Sequence, residues 1–79
     1  MTTEDIVMKM AGDLDLVHYL DPDDLLESLD YILEKEIDLC IKLNKDPDDR
    51  YIDAKEWTEW HLEPWSRMDR PEPIPTWVE

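Results

Sequence analysis

The chain has 79 residues, a length that allows one domain near the lower limit for a self-sufficient core. Apolar residues make up 42% of the chain, which excludes a wholly disordered acidic protein, and 22 acidic residues against eight basic ones give a net charge of −14. A charge of this size repels nucleic acids and anionic membranes and attracts basic protein surfaces, so direct binding to nucleic acid or membrane is not expected.

The N-terminal residues lack the basic segment and long apolar run of a signal peptide. No apolar stretch approaches membrane-spanning length. We therefore expect a cytoplasmic protein, acting in the host cytoplasm if a phage encodes it. Cys40 is the only cysteine, which rules out a disulfide within the chain.

The first predicted helix begins at Thr2-Thr3-Glu4-Asp5, where a hydroxyl cap is followed by acids in the first turn. Apolar residues then recur at three- and four-residue steps as far as Val17. Gly12-Asp13 is expected to end this helix, with a second helix following through Tyr19. One helix bent at Gly12 is the alternative.

The sequence Asp-Pro-Asp-Asp occurs twice, at positions 21–24 and 46–49. Aspartate is a preferred N-cap, proline is favoured at the first helical position, and acids in the first turn meet the positive end of the helix dipole. The two copies therefore predict two helix starts. Asp21 and Asp46 would be the caps, and Pro22 and Pro47 the first helical residues.

The central helix is predicted from Pro22 to about Leu43, with a broad apolar face. Its apolar residues are Leu25, Leu26, Leu29, Ile32, Leu33, Ile37, Leu39, Cys40 and Leu43. So broad a face predicts a helix between two others, or one shared with another subunit, and hence a homodimer or a larger complex with a partner. Glu36 lies within this face and either reaches solvent at its edge or pairs with a charge across an interface.

The third helix is predicted from Pro47 to about Leu62, and Pro64 ends it. Prolines at alternate positions 71, 73 and 75 favour an extended C-terminal strap, residues 64–79. Trp65 and Trp77 either attach this strap to the helices or anchor a partner. The predicted fold is all-α: an acidic helical domain (1–63) of three helices, or four if Gly12 breaks the first, followed by the strap.

The second Asp-Pro-Asp-Asp resembles part of the calcium-binding loop of an EF-hand. The oxygen ligands in that comparison would be Asn44, Asp46, Asp48, Asp53 and Glu56. The resemblance fails at Asp49, which occupies the position of the glycine that makes the sharp turn, and Tyr51 is one residue too many. No metal is therefore expected.

Catalytic motifs are also incomplete. His61 and Glu63 match the His-x-Glu of zinc deaminases, but the Cys-x-x-Cys that completes that site is absent. A single glycine cannot build a phosphate-binding loop. We expect a protein that is not an enzyme and uses no cofactor.

Five acids of the central helix follow one another at steps of four, three, four and four residues. They are Asp23, Glu27, Asp30, Glu34 and Asp38. Helical neighbours at this spacing lie about 5–6 Å apart, so the pattern predicts a row of carboxylates along a solvent-facing flank, spaced like the phosphates of a nucleic-acid strand. A face that serves solubility alone more often alternates positive and negative charges. This row has acids only, which favours a basic partner.

Two hypotheses follow. In the first, the protein is an inhibitor that occupies a basic, nucleic-acid-binding surface of a target protein. In size and charge it is similar to the small acidic anti-defence proteins of phages, including DNA mimics and anti-CRISPR proteins. In the second, it is an adaptor, antitoxin or immunity-type protein that binds through its apolar helix face and the strap. The candidate partner-binding residues are the five acids, Trp65 and Trp77.

Overall fold

The computed structural model describes residues 2–78 and confirms a small all-α bundle. The helices are α1 (Thr3–Asp13), α2 (Leu25–Lys42) and α3 (Asp49–Leu62). Single 3₁₀ turns lie at Val17–Tyr19, Pro64–Arg67 and Thr76–Val78. No strand occurs in this part of the chain.

Helix α1 begins as its sequence predicts. The Thr2 side chain accepts a hydrogen bond from the Asp5 backbone N–H (3.2 Å), and the Asp5 carboxylate accepts one from the Thr2 backbone N–H (3.1 Å). This reciprocal capping box satisfies two otherwise unpaired N–H groups of the first turn. These two hydrogen bonds lower the pKa of Asp5.

The first helix ends at Gly12-Asp13, as expected, and the alternative of one helix bent at Gly12 is wrong. Gly12 is helical, α1 stops one residue later, and Asp15 takes a left-handed conformation (φ 58°) that reverses the chain. The segment after the reversal is a 3₁₀ turn at Val17–Tyr19 instead of a fourth helix.

Both helices that follow an Asp-Pro-Asp-Asp start near it, but the predicted caps and prolines are wrong. Helix α2 starts at Leu25, after a turn in which the Asp23 N–H donates to the Asp21 side chain (3.0 Å). Helix α3 starts at Asp49, and its N-cap is Asp48, which accepts from the Arg50 N–H (2.9 Å). Each copy offers three aspartates able to cap a helix, and the sequence does not choose among them.

The core joins all three helices to the end of the chain. Leu29 and Leu33 of α2 and Trp57 of α3 are completely buried, and Met10 of α1 meets them from the other side. Val78 is 1% exposed and belongs to the same core, so the last turn of the strap packs with the helical domain. Residues 71–75 of the strap have no regular secondary structure, and 3₁₀ turns lie on both sides of them, so the strap is not extended throughout as expected.

The C-terminal half of α2 is much less covered than the N-terminal half. Leu39 and Leu43, both expected on the apolar face, are 50% and 55% exposed. Helix α2 packs mainly on α3 and less on α1, and neither neighbour covers these side chains. The broad apolar face predicted from the sequence is therefore only partly used within one chain.

Candidate partner-binding surface

Asp30 does not belong to a solvent-facing row. Its carboxylate lies 2.7 Å from the Lys55 ammonium and accepts a 2.8 Å hydrogen bond from the Thr58 hydroxyl, both on α3. Thr58 is completely buried. Asp30 thus joins α2 to α3, and the expectation that it faces solvent is wrong, because at its angle around α2 it meets the neighbouring helix.

Lys55 is held in its charged form by this contact. Partial burial acts to lower the pKa of Lys55, but the hydrogen bond and charge of Asp30, together with the charges of Glu59 and Glu34, raise it above 10.5 overall. A lysine pKa raised by folding contributes stability that is complete below the unfolded value and is lost only as pH rises through the native one. The Asp30–Lys55 pair is therefore intact at neutral pH.

Five of the residues that face solvent along α2 form a mixed row. Its members follow at steps of four, three, four and three residues and are Glu27, Tyr31, Glu34, Asp38 and Ile41. All five are exposed, and Tyr31 and Ile41 are each 60% exposed. We call these five residues the outer row. It contains three of the five predicted acids, with large apolar side chains between them.

A second group of acids forms what we call the acidic end of the bundle. Asp23 is exposed as expected, but it precedes α2 and lies beside Glu4 of α1, with which it lines a shallow groove. The groove is also lined by the apolar residues Val7, Leu25 and Leu26. Acidic and apolar side chains thus meet in one groove, an arrangement suited to a partner segment with both basic and apolar side chains.

A second groove lies beside the first and is also lined by an acid and by apolar side chains. It is lined by Glu4, Met8, Val17, Leu20, Pro22 and Leu25. Met8 and Val17 are 41% and 38% exposed, which is unusual for side chains next to a hydrophobic core. The sequence pattern indicated a helix start at Pro22 and did not reveal that the turn there would meet α1.

Few of the acids have a cation to neutralise them. Among residues 2–78, the ion pairs engage only Asp30, Asp48, Glu59 and Glu72. No acid of the outer row takes part in one. Several of the eight basic residues are also used internally: Arg67 donates to the backbone carbonyls of Trp60 and His61, and Arg70 donates to that of Ser66. The negative charge of the outer row and the acidic end is therefore directed to solvent.

The two candidate tryptophans of the strap have different environments. Trp77 is half-buried and packs against the core, whereas Trp65 is 68% exposed next to Met68, which is 71% exposed. Trp77 therefore attaches the strap to the helices. Trp65 remains accessible to a partner.

Glu72 connects the strap to α3 through a contact that the sequence analysis missed. One Glu72 carboxylate oxygen accepts a hydrogen bond from the Trp57 indole N–H (3.0 Å) and lies 2.6 Å from His61 Nε2. The His61 ring also packs against Trp57, with ring centroids 4.4 Å apart. No local pattern relates Glu72 to residues eleven and fifteen positions earlier, so only the folded chain reveals this contact. His61 is occupied by it and does not form a deaminase-like pair with Glu63.

The EF-hand-like segment is not folded as a calcium loop. Asp53 and Glu56 lie on α3, and Asp48 caps that helix, so the oxygen atoms do not surround a common point. Among the described residues, no group of three or more His, Cys, Asp or Glu side chains is arranged to hold a metal ion. None of the helices in residues 2–78 has both the length and the hydrophobicity to cross a membrane.

Comparisons with protein-family models, with characterised proteins and with solved structures found no match to this chain.

Proposed function

We propose that this protein is a non-enzymatic inhibitor that occupies a basic, nucleic-acid-binding surface of a target protein. The observation that carries the proposal is the outer row, whose three acids are free of ion pairs and stand beside the exposed Tyr31. Glu4 and Asp23 add a second acidic site, the acidic end, at a groove that also has apolar lining. Carboxylates would steer a basic target and exclude acidic ones. The exposed Tyr31 and the groove would supply the apolar contact that holds the complex together.

The target is a protein surface with both basic and apolar side chains. A regular series of five exposed carboxylates would imitate the spacing of phosphates. Asp30 instead binds α3, and the exposed residue beside it is Tyr31, so the series is interrupted. The acids that remain accessible are seven and four residues apart along α2, at Glu27, Glu34 and Asp38. The proposed action is therefore direct competition for a basic site, in the cytoplasm and without a cofactor, metal or membrane.

The experiment compares two variants of equal charge in capture from a bacterial lysate. The test variant neutralises the outer row (Glu27→Gln, Glu34→Gln, Asp38→Asn). The control neutralises three exposed acids elsewhere (Asp13→Asn, Asp46→Asn, Asp69→Asn). Both lose three negative charges, so only the position of the charge differs.

The proposal expects the test variant to lose the captured protein while the control retains it. Duplex DNA added to the lysate should displace the protein from its target, and raising salt from about 50 to about 500 mM should weaken the complex steeply, since screening acts on exposed charges. Equal capture by both variants, or capture that neither DNA nor salt affects, would refute it.

A second candidate function rests on the exposed Trp65 and Met68 of the strap. An adaptor, antitoxin or immunity-type protein would bind through these side chains and the uncovered apolar end of α2, with its acids serving solubility. In that case Trp65→Ala would abolish capture and the triple neutralisation would not. Trp77 is unsuitable as a contact in either case because it packs on the core.

A further inference from the structure

One side of α2 carries a narrow stripe that shares Tyr31 with the outer row and otherwise consists of different residues. Asp24, Tyr31, Lys35 and Lys42 lie on it, because the eighteen steps from Asp24 to Lys42 make five full turns of about 3.6 residues. All four residues are exposed, and Leu39 lies at the edge of the stripe, 50% exposed. The stripe has an acid at its N-terminal end, two lysines farther along, and apolar surface between them.

The stripe is continuous with more apolar surface on one side. Tyr19, 70% exposed, lines a shallow groove with Tyr31 and the half-buried Ile32. The Lys35 ammonium lies 5.2 Å from the centre of the Tyr31 ring, so a cation is already placed on this aromatic surface. Tyrosines are enriched in protein interfaces.

We propose that a second copy of this chain binds here, with the two α2 helices antiparallel about a two-fold axis. In a two-fold interface, residue i contacts j of the other copy and j contacts i. One antiparallel register places Asp24 opposite Lys42 of the second copy and, at the same time, Tyr31 opposite Lys35 of the second copy. Each pair occurs twice in the dimer. This inference does not depend on the proposed function, and the two surfaces share only Tyr31.

The charges of the stripe select this occupant. A copy with a net charge of −14 is repelled by most of the surface, but the stripe itself holds two lysines, Lys35 and Lys42, and one acid, Asp24. The acids beside it are Glu27, Glu36 and Asp38, so it is the least negative part of α2. A parallel pair would bring Asp24 against Asp24 and Lys42 against Lys42, which is unfavourable. A basic target would prefer the outer row, and a nucleic acid would be repelled by the molecule as a whole.

The first measurement is the mass of the full chain in solution by sedimentation equilibrium, from about 10 μM to about 1 mM. We expect the mass to rise from monomer towards dimer over this range, since one helix pair is at the small end of specific interfaces. A monomer mass throughout the range overturns the proposal.

The second measurement is the dimerisation of two variants whose charges at the contact positions are reversed, first separately and then mixed. Asp24→Lys alone and Lys42→Glu alone each place like charges together and should weaken dimerisation by at least about tenfold. An equimolar mixture of the two variants restores opposite charges at both contacts of a heterodimer, so its dimerisation should return to within about threefold of the parent. The two positions are about 27 Å apart on one helix, at about 1.5 Å per residue, so no contact within a chain can explain the restoration.

Circular dichroism of each variant checks that α2 still forms, since Asp24 precedes its first turn. If the mixture dimerises no better than the separate variants, the register is wrong and the proposal falls. If the variants dimerise as well as the parent, the stripe is not the interface.

A matched pair of apolar substitutions locates the interface independently. Leu39→Ser lies at the stripe and should weaken dimerisation by about tenfold, whereas Ile41→Ser lies on the outer row and should leave it unchanged. Both side chains are at least half exposed, so neither substitution should disturb the fold. Equal effects from the two would also refute the assignment. All these measurements use the protein alone, so their failure leaves the proposed binding of a basic target unaffected.

Discussion

Neighbouring acids of α2, one turn apart, have opposite roles. Asp30 is bound by Lys55 and by the buried Thr58 hydroxyl of α3. Farther along the same flank, Glu34 and Asp38 form no ion pair, and Tyr31 stands exposed between Glu27 and Glu34. Four residues separate Asp30 from Glu34, yet the first stabilises the fold and the second is free to contact a partner. A row of acids on a helix therefore indicates a binding surface only after its neighbouring helices are placed.

The largest expected loss of stability comes from Trp57→Ala on α3. Trp57 is completely buried, and its indole N–H holds Glu72 of the strap, so the change removes core volume and a hydrogen bond together. We expect a loss of about 3–5 kcal/mol in the free energy of unfolding, measured by urea denaturation followed by circular dichroism. Trp65→Ala is the control, because Trp65 is exposed and should change stability by less than about 0.5 kcal/mol. Similar losses for both would contradict the structure.

Asp30→Ala tests the contrast between these neighbouring acids directly. It removes the 2.7 Å partner of the half-buried Lys55 ammonium, which keeps only Glu59 at 3.7 Å, and one acceptor of the Thr58 hydroxyl, which keeps the Lys55 carbonyl. The expected cost is on the order of 1–3 kcal/mol in the same denaturation experiment, because a partly buried hydrogen bond between charged groups is lost. The matched change Glu34→Ala, one turn later and exposed, should stay within about 0.5 kcal/mol of the parent. If Asp30→Ala were as harmless as Glu34→Ala, both acids would belong to the solvent-facing row that the sequence suggested.

Asp48→Ala tests where α3 begins. The backbone N–H of Arg50 and, second, its side chain donate hydrogen bonds to Asp48, which lower the pKa of that carboxyl below 3.8. Asp48→Ala should lower the melting temperature at neutral pH, and Asp46→Ala should lower it less because the helix is not capped there.

The pH dependence provides the control for this change. An acid whose pKa is lowered by folding contributes stability that is complete above its unfolded pKa, near 3.8, and is lost as pH falls through the lower native value. The difference between the parent and Asp48→Ala should therefore disappear in strong acid. A larger effect from Asp46→Ala than from Asp48→Ala would show that the predicted cap was right.

The smallest expected effect on stability comes from neutralising the outer row with Glu27→Gln, Glu34→Gln and Asp38→Asn. Glu34 and Asp38 are like charges one turn apart, and removing such a pair gains about 0.2–0.5 kcal/mol. Stability should rise by that amount or stay level, while capture of a basic target should be lost. A marked loss of stability would mean that these acids support the fold as Asp30 does.

Much of the fold could be predicted from the sequence because local chemistry determines it. The Thr2–Asp5 pair forms the capping box that its residue types predict, and Pro64 follows the last residue of α3, Leu62, by two positions. The positions of the three helices depend on the periodicity of apolar residues, which one helix expresses by itself. The exact helix starts were less predictable, because each Asp-Pro-Asp-Asp contains three residues able to cap.

The candidate surface was only partly predictable. Glu27, Glu34 and Asp38 are exposed as expected, but the exposed Tyr31 and the nearness of Glu4 to Asp23 were not foreseen. A tyrosine at position 31 is compatible with either a buried or an exposed site. Glu4 and Asp23 are nineteen residues apart in the sequence. Neither property has a local signal, since each depends on how α1 and α2 pack.

By itself, then, the sequence determined the helical class, the approximate helix positions and the strongly negative charge, since these follow from residue types and their spacing along one chain. Only the tertiary structure decided which acid is withdrawn from solvent, which tryptophan remains accessible, and where the strap is held by Glu72 and Val78. The physical reason is the same in each case. A side chain's environment is set by neighbours distant in sequence, and a carboxylate that meets a lysine on the next helix becomes part of the fold, whereas one that meets water remains available to bind.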